Sequence, residues 1–177
     1  MDTGNSPKVR RVAIIGPECT GKTDLARFLA SHYQTTWVPE FARTYLERLD
    51  RPYIKKDLTT IARGQLKAEN SIAEQATRFV FCDTNLVVMK IWSEFKYGSC
   101  DPEILTLIKQ QKYDLHLLTD VDLPWEDDPL REHPHKRQEL FDLYKGHLEN
   151  TQTKYTIIRG NYDSRRTEAL QAVAKIK

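Results

Sequence analysis

Short apolar runs rich in β-branched residues recur along the chain, and segments with a helical spacing of apolar residues separate them. The apolar runs predict five buried strands, at residues 10–15, 35–38, 79–82, 115–118 and 155–158. The separating segments predict seven helices, at residues 22–32, 42–49, 58 onward, 86–95, 102–111, 135–148 and 164–176. Strands that alternate with helices favour a parallel sheet joined by right-handed crossovers. We therefore predict an α/β fold, with a five-stranded parallel sheet and helices on both faces.

Two stretches between these elements have their own character. Residues 120–131 are rich in charge and proline and lack any period, which predicts a long, mobile lid segment after the fourth strand. A turn cluster at residues 160–163 precedes the last helix, and Ser164 is predicted to be the N-cap of that helix.

The length of 177 residues and a hydrophobic content of 40% suit one compact domain. We predict a flexible tail at residues 1–8 and a single domain at residues 9–177. The tail is polar and lacks the apolar core of a secretory signal, so the predicted location is cytoplasmic. Since no run approaches the roughly twenty apolar residues that span a bilayer, we expect no membrane partner.

Charge and cysteine content narrow the classes of partner. The net charge is only +2 and the basic residues alternate with acidic ones, so the sequence lacks the electrostatic footprint of a nucleic-acid-binding protein. Three cysteines without metal-ligand spacing indicate a reducing compartment rather than a disulfide framework. A small anionic ligand is compatible with these numbers, and the number of subunits is left open.

One motif stands between the first strand and the first helix. It reads G-x-x-x-x-G-K-T and predicts a phosphate-binding loop (P-loop), because its glycines let backbone N–H groups face a polyphosphate at a helix N-terminus. Lys22 is predicted to reach the β- and γ-phosphates and Thr23 to hold Mg²⁺. The predicted cofactors are therefore ATP and Mg²⁺. The predicted nucleotide-binding residues here are Gly16, Pro17, Glu18, Cys19, Thr20, Gly21, Lys22, Thr23 and Asp24.

Acidic residues follow two other predicted strands. Glu40 and Arg43 come just after the second strand, and Asp83 and Asn85 follow the third. Ligands bind at the carboxyl edge of open parallel sheets, so these side chains are candidates for the acceptor site. Glu40 is a candidate base for a substrate hydroxyl, and Asp83 is a candidate ligand of the Mg²⁺ shell. Which of the two carboxylates acts as the base is left open.

The lid segment supplies two more candidates. Arg131 is predicted to stabilise the charge on the transferring phosphoryl group, as an arginine finger supplied within the chain. Trp125 lies in polar surroundings and is a candidate to cover a base or ring, whereas Trp37 and Trp92 are assigned to the core. His133 and His135 are predicted to be exposed rather than metal ligands.

A P-loop alone does not separate a kinase from a GTPase switch. The fourth strand is followed by Thr-Asp-Val-Asp rather than the N-K-x-D element of GTPases, and 177 residues leave little room for the lobes of a motor or transport ATPase. The pattern favours a P-loop NTPase of the kinase type that phosphorylates a small molecule.

The motifs together resemble a known family. The P-loop, the Val-Pro-Glu-Phe-Ala-Arg element at residues 38–43, Asp-Thr-Asn at 83–85 and Pro-Trp-Glu-Asp-Asp-Pro-Leu-Arg at 124–131 are similar to the ribosylnicotinamide kinase domain of the NadR-type NAD-salvage proteins. The resemblance covers nearly the whole chain after the tail. It implies transfer of the ATP γ-phosphate to the 5′-hydroxyl of nicotinamide riboside, which yields nicotinamide mononucleotide.

The same resemblance implies roles for individual residues. Lys22 and Thr23 match the phosphate and Mg²⁺ positions, Asp83 the acid after the third strand, Arg131 the lid arginine, and Glu40 with Arg43 the acceptor-side element. From the sequence as a whole we predict that the catalytic residues are Lys22, Glu40, Asp83 and Arg131 and that the metal ligands are Thr23 and Asp83. The predicted acceptor-binding residues are Glu40, Arg43, Asp83, Asn85 and Trp125. Tyr162 and Arg165 match the family's final Gly-x-Tyr-x-x-Arg pattern and are implied to contact adenine.

The sequence also departs from the family. Pro129 stands where a glycine is expected, which predicts a stiffer lid. The His-x-Gly-His motif of the adenylyltransferase domain in bifunctional relatives is absent, so the step to NAD is expected to occur elsewhere. Two alternatives stay open at this point: a kinase of other nucleosides or deoxynucleosides, and a regulatory module that senses a nucleotide.

Overall fold

Five parallel strands form a single sheet in the computed structural model, which describes residues 8–176. The strands are β1 (Arg10–Ile15), β2 (Thr36–Val38), β3 (Phe79–Asp83), β4 (Leu115–Thr119) and β5 (Tyr155–Ile158), and their order across the sheet is β2-β3-β1-β4-β5. Ile14 of β1 lies in register with Asp83 of β3 and with Leu117 of β4. The carboxyl ends of the three central strands therefore meet at one edge, where the loops carry the candidate site residues.

Seven helices connect and follow the strands. They are α1 (Lys22–His32), α2 (Phe41–Glu47), α3 (Lys55–Ala73), α4 (Leu86–Tyr97), α5 (Pro102–Gln110), α6 (Arg137–Asn150) and α7 (Tyr162–Ala174). Helices α1 and α7 pack on one face of the sheet, around Val12, Ile14 and Leu117. The apolar faces of α3, α4 and α6 pack on the other, around Ala13, Ile15 and Leu118. The predicted α/β fold with a five-stranded parallel sheet and helices on both faces is confirmed.

Several helix boundaries differ from the prediction, and three of the differences concern segments near the site. The N-cap of α7 is Asn161, whose side chain accepts the N–H of Ser164 at 3.0 Å; the assignment of Ser164 as the N-cap was wrong. Helix α3 begins before residue 58 because the Asp57 carboxylate accepts the Ile54 N–H at 2.7 Å. Helix α6 begins at Arg137, two residues after the predicted start, so the irregular segment after β4 is longer than predicted.

The predicted tail lies largely outside the described residues, since residues 1–7 and 177 are not part of the description. The division into a tail at 1–8 and one domain at 9–177 stays a prediction. No helix within residues 8–176 has both the length and the apolar composition needed to cross a membrane.

Candidate active site

The P-loop connects β1 to α1, and its first glycine is fixed by a close neighbour. Gly16 has a φ of 144°, and a Cβ atom at this position would lie 2.8 Å from the carbonyl oxygen of Thr119 and closer still to its hydroxyl. Gly21 is the N-cap of α1 in the left-handed conformation, with φ 74°. Both positions require glycine, because a side chain would clash at the first and strain the backbone at the second.

Two threonine hydroxyls hold the P-loop against the sheet. Thr20 Oγ1 donates to the carbonyl oxygen of Pro17 at 2.8 Å and lies 2.7 Å from Thr119 Oγ1. Thr119 Oγ1 in turn lies 3.1 Å from the carbonyl oxygen of Ile15. Thr20 and Thr119 are fully buried, so these contacts keep the loop in one conformation.

Lys22 lies over this loop. Its ammonium group donates to the Pro17 carbonyl at 2.6 Å, and its α-carbon is in the first turn of α1. The positive end of the helix and the Lys22 charge therefore act on the same space, which suits a polyphosphate.

A hydroxyl and a carboxylate from neighbouring elements meet beside the loop. Thr23 Oγ1 donates to Asp83 Oδ2 at 2.5 Å, and Asp83 is 1% exposed. The other carboxylate oxygen, Asp83 Oδ1, is buried without a hydrogen-bond partner. Burial raises the pKa of Asp83, while the Thr23 hydrogen bond and the Lys22 charge oppose that shift. An unpaired carboxylate oxygen next to a hydroxyl oxygen is a donor set that fits Mg²⁺, which binds proteins through one or two carboxylates and keeps other ligands from phosphate and water.

Glu40 lines the same cleft as the P-loop. It occupies the N-cap position of α2, and its side chain makes no capping hydrogen bond, so the carboxylate is available to the cleft. Burial, followed by the negative charge of Asp83, raises the pKa of Glu40 to about 7, although Lys22 and Arg43 act in the opposite direction. A carboxylate with a pKa near neutrality is suited to accept a proton from a hydroxyl.

The irregular segment between β4 and α6, residues 120–136, is the lid segment of this fold, and it is tied to the P-loop. The Glu18 carboxylate accepts the backbone N–H groups of Glu132 at 3.1 Å and His133 at 3.0 Å. Arg137 donates to the carbonyl oxygens of Cys19 at 3.2 Å and Leu123 at 2.9 Å. The lid therefore lies across the loop.

Arg131 projects from the lid towards the loop. Its guanidinium donates to Cys19 Sγ at 3.3 Å and to the carbonyl oxygen of Glu126, and it lies 5.9 Å from the centre of the Trp125 ring. This places a cation beside the phosphate loop, and its predicted role towards the transferring phosphoryl group stays a prediction.

Three further contacts join the lid to α2, to the connection between α2 and α3, and to α4. Arg43 of α2 forms an ion pair with Asp128 at 2.7 Å. Glu132 accepts a hydrogen bond from the Tyr53 hydroxyl at 2.6 Å and pairs with Lys96 at 2.9 Å. The lid is consequently held on both sides of the cleft.

The cleft enclosed by these elements has a volume of about 220 Å³. Its polar lining comes from the P-loop, Glu40, Arg43 and Arg131. Its apolar and aromatic lining includes Leu46, Val88, Trp92, Leu140 and Tyr144. This apolar lining was not predicted from the sequence. Trp92 was assigned to the core, and although it packs against the core it also lines the cleft.

Some predicted site residues lie elsewhere. The Asn85 side chain accepts the Val87 N–H at 3.0 Å, and its amide nitrogen lies 3.1 Å from His116 Nε2, so Asn85 caps α4 and does not line the cleft. Trp125 donates to Asp127 at 2.8 Å and also lies outside the cleft lining. Acceptor contacts by these two residues stay predictions.

Of the two residues predicted to contact adenine, Tyr162 lines the cleft and Arg165 does not. Tyr162 is 45% exposed and lines the cleft next to the P-loop. Arg165 is 3% exposed, and its guanidinium donates to the carbonyl oxygens of Thr20 at 2.8 Å, Gly160 at 2.8 Å and Asp120 at 2.9 Å. It also pairs with Asp122. Arg165 supports the back of the P-loop, and its predicted contact with adenine stays a prediction.

The remaining polar candidates are placed as follows. Asp24 lines the cleft and pairs with Arg166 at 3.1 Å. His135 is exposed, as predicted, but His133 is half-buried, lies 5.1 Å from the Phe95 ring and lines the cleft. Within residues 8–176, no group of three or more histidine, cysteine, aspartate or glutamate side chains is arranged as a metal site.

Known proteins resemble this chain in sequence. An AAA-domain family matches residues 11–165. The trifunctional NAD biosynthesis/regulator protein NadR of Escherichia coli (strain K12) is 28% identical over an alignment that covers 95% of this chain and 43% of the relative. The chain therefore spans less than half of the length of this curated relative.

Two solved structures share the fold. The crystal structure of NadR protein in complex with NR superposes with a TM-score of 0.82 at 23% identity, covering 95% of this chain and 51% of that chain. The structure of deoxyadenosine kinase from M. mycoides has a TM-score of 0.62 at 14% identity and covers 94% of this chain and 100% of that chain. The predicted P-loop kinase fold and the predicted resemblance to NadR are confirmed. The chain belongs to the AAA-domain family of P-loop proteins, and its architecture is that of the P-loop kinases.

Proposed function

We propose that this chain transfers the γ-phosphoryl group of ATP to the 5′-hydroxyl of nicotinamide riboside, which yields nicotinamide mononucleotide and ADP. The main support for the proposal is that the Glu40 carboxylate and the P-loop line one cleft. Lys22 and Glu40 line the same cavity, and burial, followed by the negative charge of Asp83, raises the pKa of Glu40 to about 7. A protein that only senses a nucleotide has no use for a base placed opposite the phosphates.

The donor half of the site binds the polyphosphate. The backbone N–H groups of the P-loop, the N-terminus of α1 and Lys22 attract the β- and γ-phosphates. Arg131 approaches from the lid and stabilises charge on the γ-phosphoryl oxygens. Tyr162 lies at the exposed end of the loop, where the nucleoside of ATP emerges.

Thr23 and Asp83 are the residues that would hold Mg²⁺. Their fit rests on the unpaired, buried Oδ1 of Asp83 and the adjacent Thr23 hydroxyl. When bound there, Mg²⁺ would supply positive charge to neutralise the charge that develops on the phosphate oxygens.

The acceptor half of the site holds the riboside. Glu40 accepts the proton of the 5′-hydroxyl while the hydroxyl oxygen forms its bond to the γ-phosphorus, and the bond between the γ-phosphorus and the bridging oxygen of ADP breaks. Arg43 is placed to hold hydroxyl groups of the ribose. Trp92 and Tyr144 present aromatic surface to a planar ring, which suits nicotinamide. The lid excludes water from the transfer.

The relatives support the choice of acceptor. The curated relative is named for NAD biosynthesis, and the NadR structure with the same fold was solved in complex with NR, nicotinamide riboside. A deoxyadenosine kinase also shares the fold, which keeps other nucleosides as the rival acceptors.

The test is a product assay by mass detection. Purified protein is incubated with Mg-ATP and, separately, nicotinamide riboside, purine nucleosides and pyrimidine nucleosides. We expect the mass of nicotinamide mononucleotide to accumulate fastest, and a Lys22→Met variant prepared in parallel to produce none. Rapid phosphorylation of another nucleoside without turnover of nicotinamide riboside would overturn the acceptor. ATP binding without phosphorylation of any riboside would instead favour the regulatory module.

A further inference from the structure

The amide that follows Glu40 has an acceptor from another helix. The N–H of Phe41 donates to Oε1 of Gln65, on α3, at 2.9 Å. This N–H belongs to the peptide unit that joins Glu40 to Phe41. It is also one of the first four amides of α2, which lack acceptors within the helix. Glu40 makes no capping hydrogen bond of its own, so Gln65 satisfies an amide at the start of α2 from outside.

Gln65 itself is held in one orientation. It is 2% exposed, and its amide nitrogen donates to Oε1 of Glu69 at 3.2 Å. Glu69 is 0% exposed, and its other oxygen accepts hydrogen bonds from Gln111 Nε2 and the Tyr113 hydroxyl, each at 2.7 Å. Since the Gln65 amide donates to a carboxylate, its oxygen must face Phe41.

The residue before Gln65 supplies a second contact with the same segment. A Cβ atom at Gly64 would overlap three ring atoms of Phe41. The Phe41 ring therefore rests directly on the backbone of α3, at a position that no other residue type permits without displacing it. A hydrogen bond and a steric contact thus fix the residue next to Glu40 from the same place on α3.

We propose that Gln65 and Gly64 are positioning residues for Glu40: they hold the Glu40–Phe41 peptide so that the carboxylate faces the P-loop. This inference rests on the proposed function, because it assigns the pair to the base of the transfer step. Gln65 and Gly64 lie outside the cleft lining, so their effect reaches the reaction through α2.

The test compares Gln65→Met in two backgrounds. Methionine keeps the length and volume of the side chain and removes both hydrogen bonds. We expect kcat to fall by about tenfold or more, since small displacements of catalytic groups have effects of this size. The KM for ATP should change by less than about twofold, because the donor half of the site is untouched. In a Glu40→Gln background the same substitution should lower kcat by less than about twofold, since the group that it positions is already lost.

Matched controls separate this effect from general destabilisation. Gln75→Met makes the same substitution at an exposed residue just after α3 and should leave kcat unchanged. Gly64→Ala should reproduce the loss of kcat and its dependence on Glu40, whereas Gly146→Ala, where a Cβ meets nothing within 4 Å, should not. If Gln65→Met fails to fold, the positioning role is tested with Gly64→Ala instead, by comparing its effect on kcat in the wild type and in Glu40→Gln.

The outcomes for the two proposals are distinct. Equal losses of kcat with and without Glu40, or no loss, would overturn the positioning role and leave the kinase activity standing. If the wild type phosphorylates no riboside, the proposed function is wrong. The hydrogen bond from the Phe41 N–H to Gln65 is then tested separately, by the rate of hydrogen exchange at the Phe41 amide. We expect slow exchange in the wild type, exchange at least about tenfold faster in Gln65→Met and no change in Gln75→Met. Fast exchange in the wild type would overturn the contact itself.

Discussion

Thr23 Oγ1 lies 2.5 Å from Asp83 Oδ2, and this hydrogen bond joins the first turn of α1 to the end of β3. Ile14 and Asp83 are in register across the β1–β3 pair, so Asp83 lies beside the strand that leads into the P-loop. The second Asp83 oxygen is buried and unpaired. This oxygen and the Thr23 hydroxyl are the donors that we propose for Mg²⁺.

Replacing Asp83 with asparagine tests that assignment. The change keeps the shape of the side chain but removes the charge that holds Mg²⁺. We expect the Mg²⁺ concentration for half-maximal activity to rise by about tenfold or more, since removal of a charged metal ligand has effects of at least this order. Titration of activity with MgCl₂ at saturating ATP measures it. An unchanged requirement would remove Asp83 from the metal site.

The pH dependence of the reaction should follow Glu40. Its pKa is raised to about 7, and only the ionised carboxylate accepts a proton, so kcat/KM should fall as the pH drops below about 7. Asp83 contributes to the raised pKa by its negative charge, and Asp83→Asn should therefore move this limb to lower pH. Rate profiles between pH 5 and 9 show both effects. A limb that persists in Glu40→Gln would assign it to another group.

The same raised pKa predicts a cost to stability. When the pKa of a carboxyl group is higher in the folded chain than in the unfolded chain, the folded protein loses stability as the pH rises from the unfolded pKa to the folded pKa. The free energy of unfolding of the nucleotide-free protein should therefore be higher in Glu40→Gln than in the wild type above pH 7, and the difference should vanish below about pH 4. Urea unfolding at pH 4 and pH 8 provides the comparison. A variant less stable at both values would indicate that Glu40 supports the fold.

Arg131 should matter for transfer more than for binding. Arg131→Ala removes the cation that faces the P-loop, and we expect kcat to fall by about two orders of magnitude or more, given the size of arginine-finger effects. The affinity for ATP should change far less, because Lys22 and the loop amides persist. Arg78→Ala, at an exposed arginine away from the cleft, is the control. Equal losses of ATP affinity and kcat would assign Arg131 to ground-state binding.

For Arg165 we expect substitution to lower the stability of the fold rather than to act on the reaction directly. Its substitution by methionine would leave buried carbonyl oxygens behind the P-loop without donors, at a cost of about 3 kcal/mol in the free energy of unfolding. Denaturant titration measures this cost. If Arg165 acts mainly on adenine, the variant would instead keep its stability and raise the KM for ATP.

The sequence predicts most reliably the features that depend on neighbouring residues. The apolar run before Gly16 and the helical period after Lys22 are local signals, and the motif between them specifies its own conformation. The placement of Glu40 and Asp83 at one edge follows from a general property of parallel sheets. These predictions needed no knowledge of distant contacts.

The features that the sequence does not predict depend on contacts between distant segments. Trp92 has the apolar spacing of any core residue, and only the packing of α4 against α6 places it beside the cleft. Asn85 follows the same strand as Asp83, yet its side chain turns back to cap α4. Arg165 belongs to a motif associated with nucleotide binding, but its partners are carbonyl groups on three other loop segments.

The Arg43–Asp128 ion pair links α2, which begins just after the proposed base, to the lid that carries the proposed phosphate cation. The two sides of the cleft therefore share one ion pair, and a substitution of Arg43 should alter the lid as well as the surroundings of Glu40.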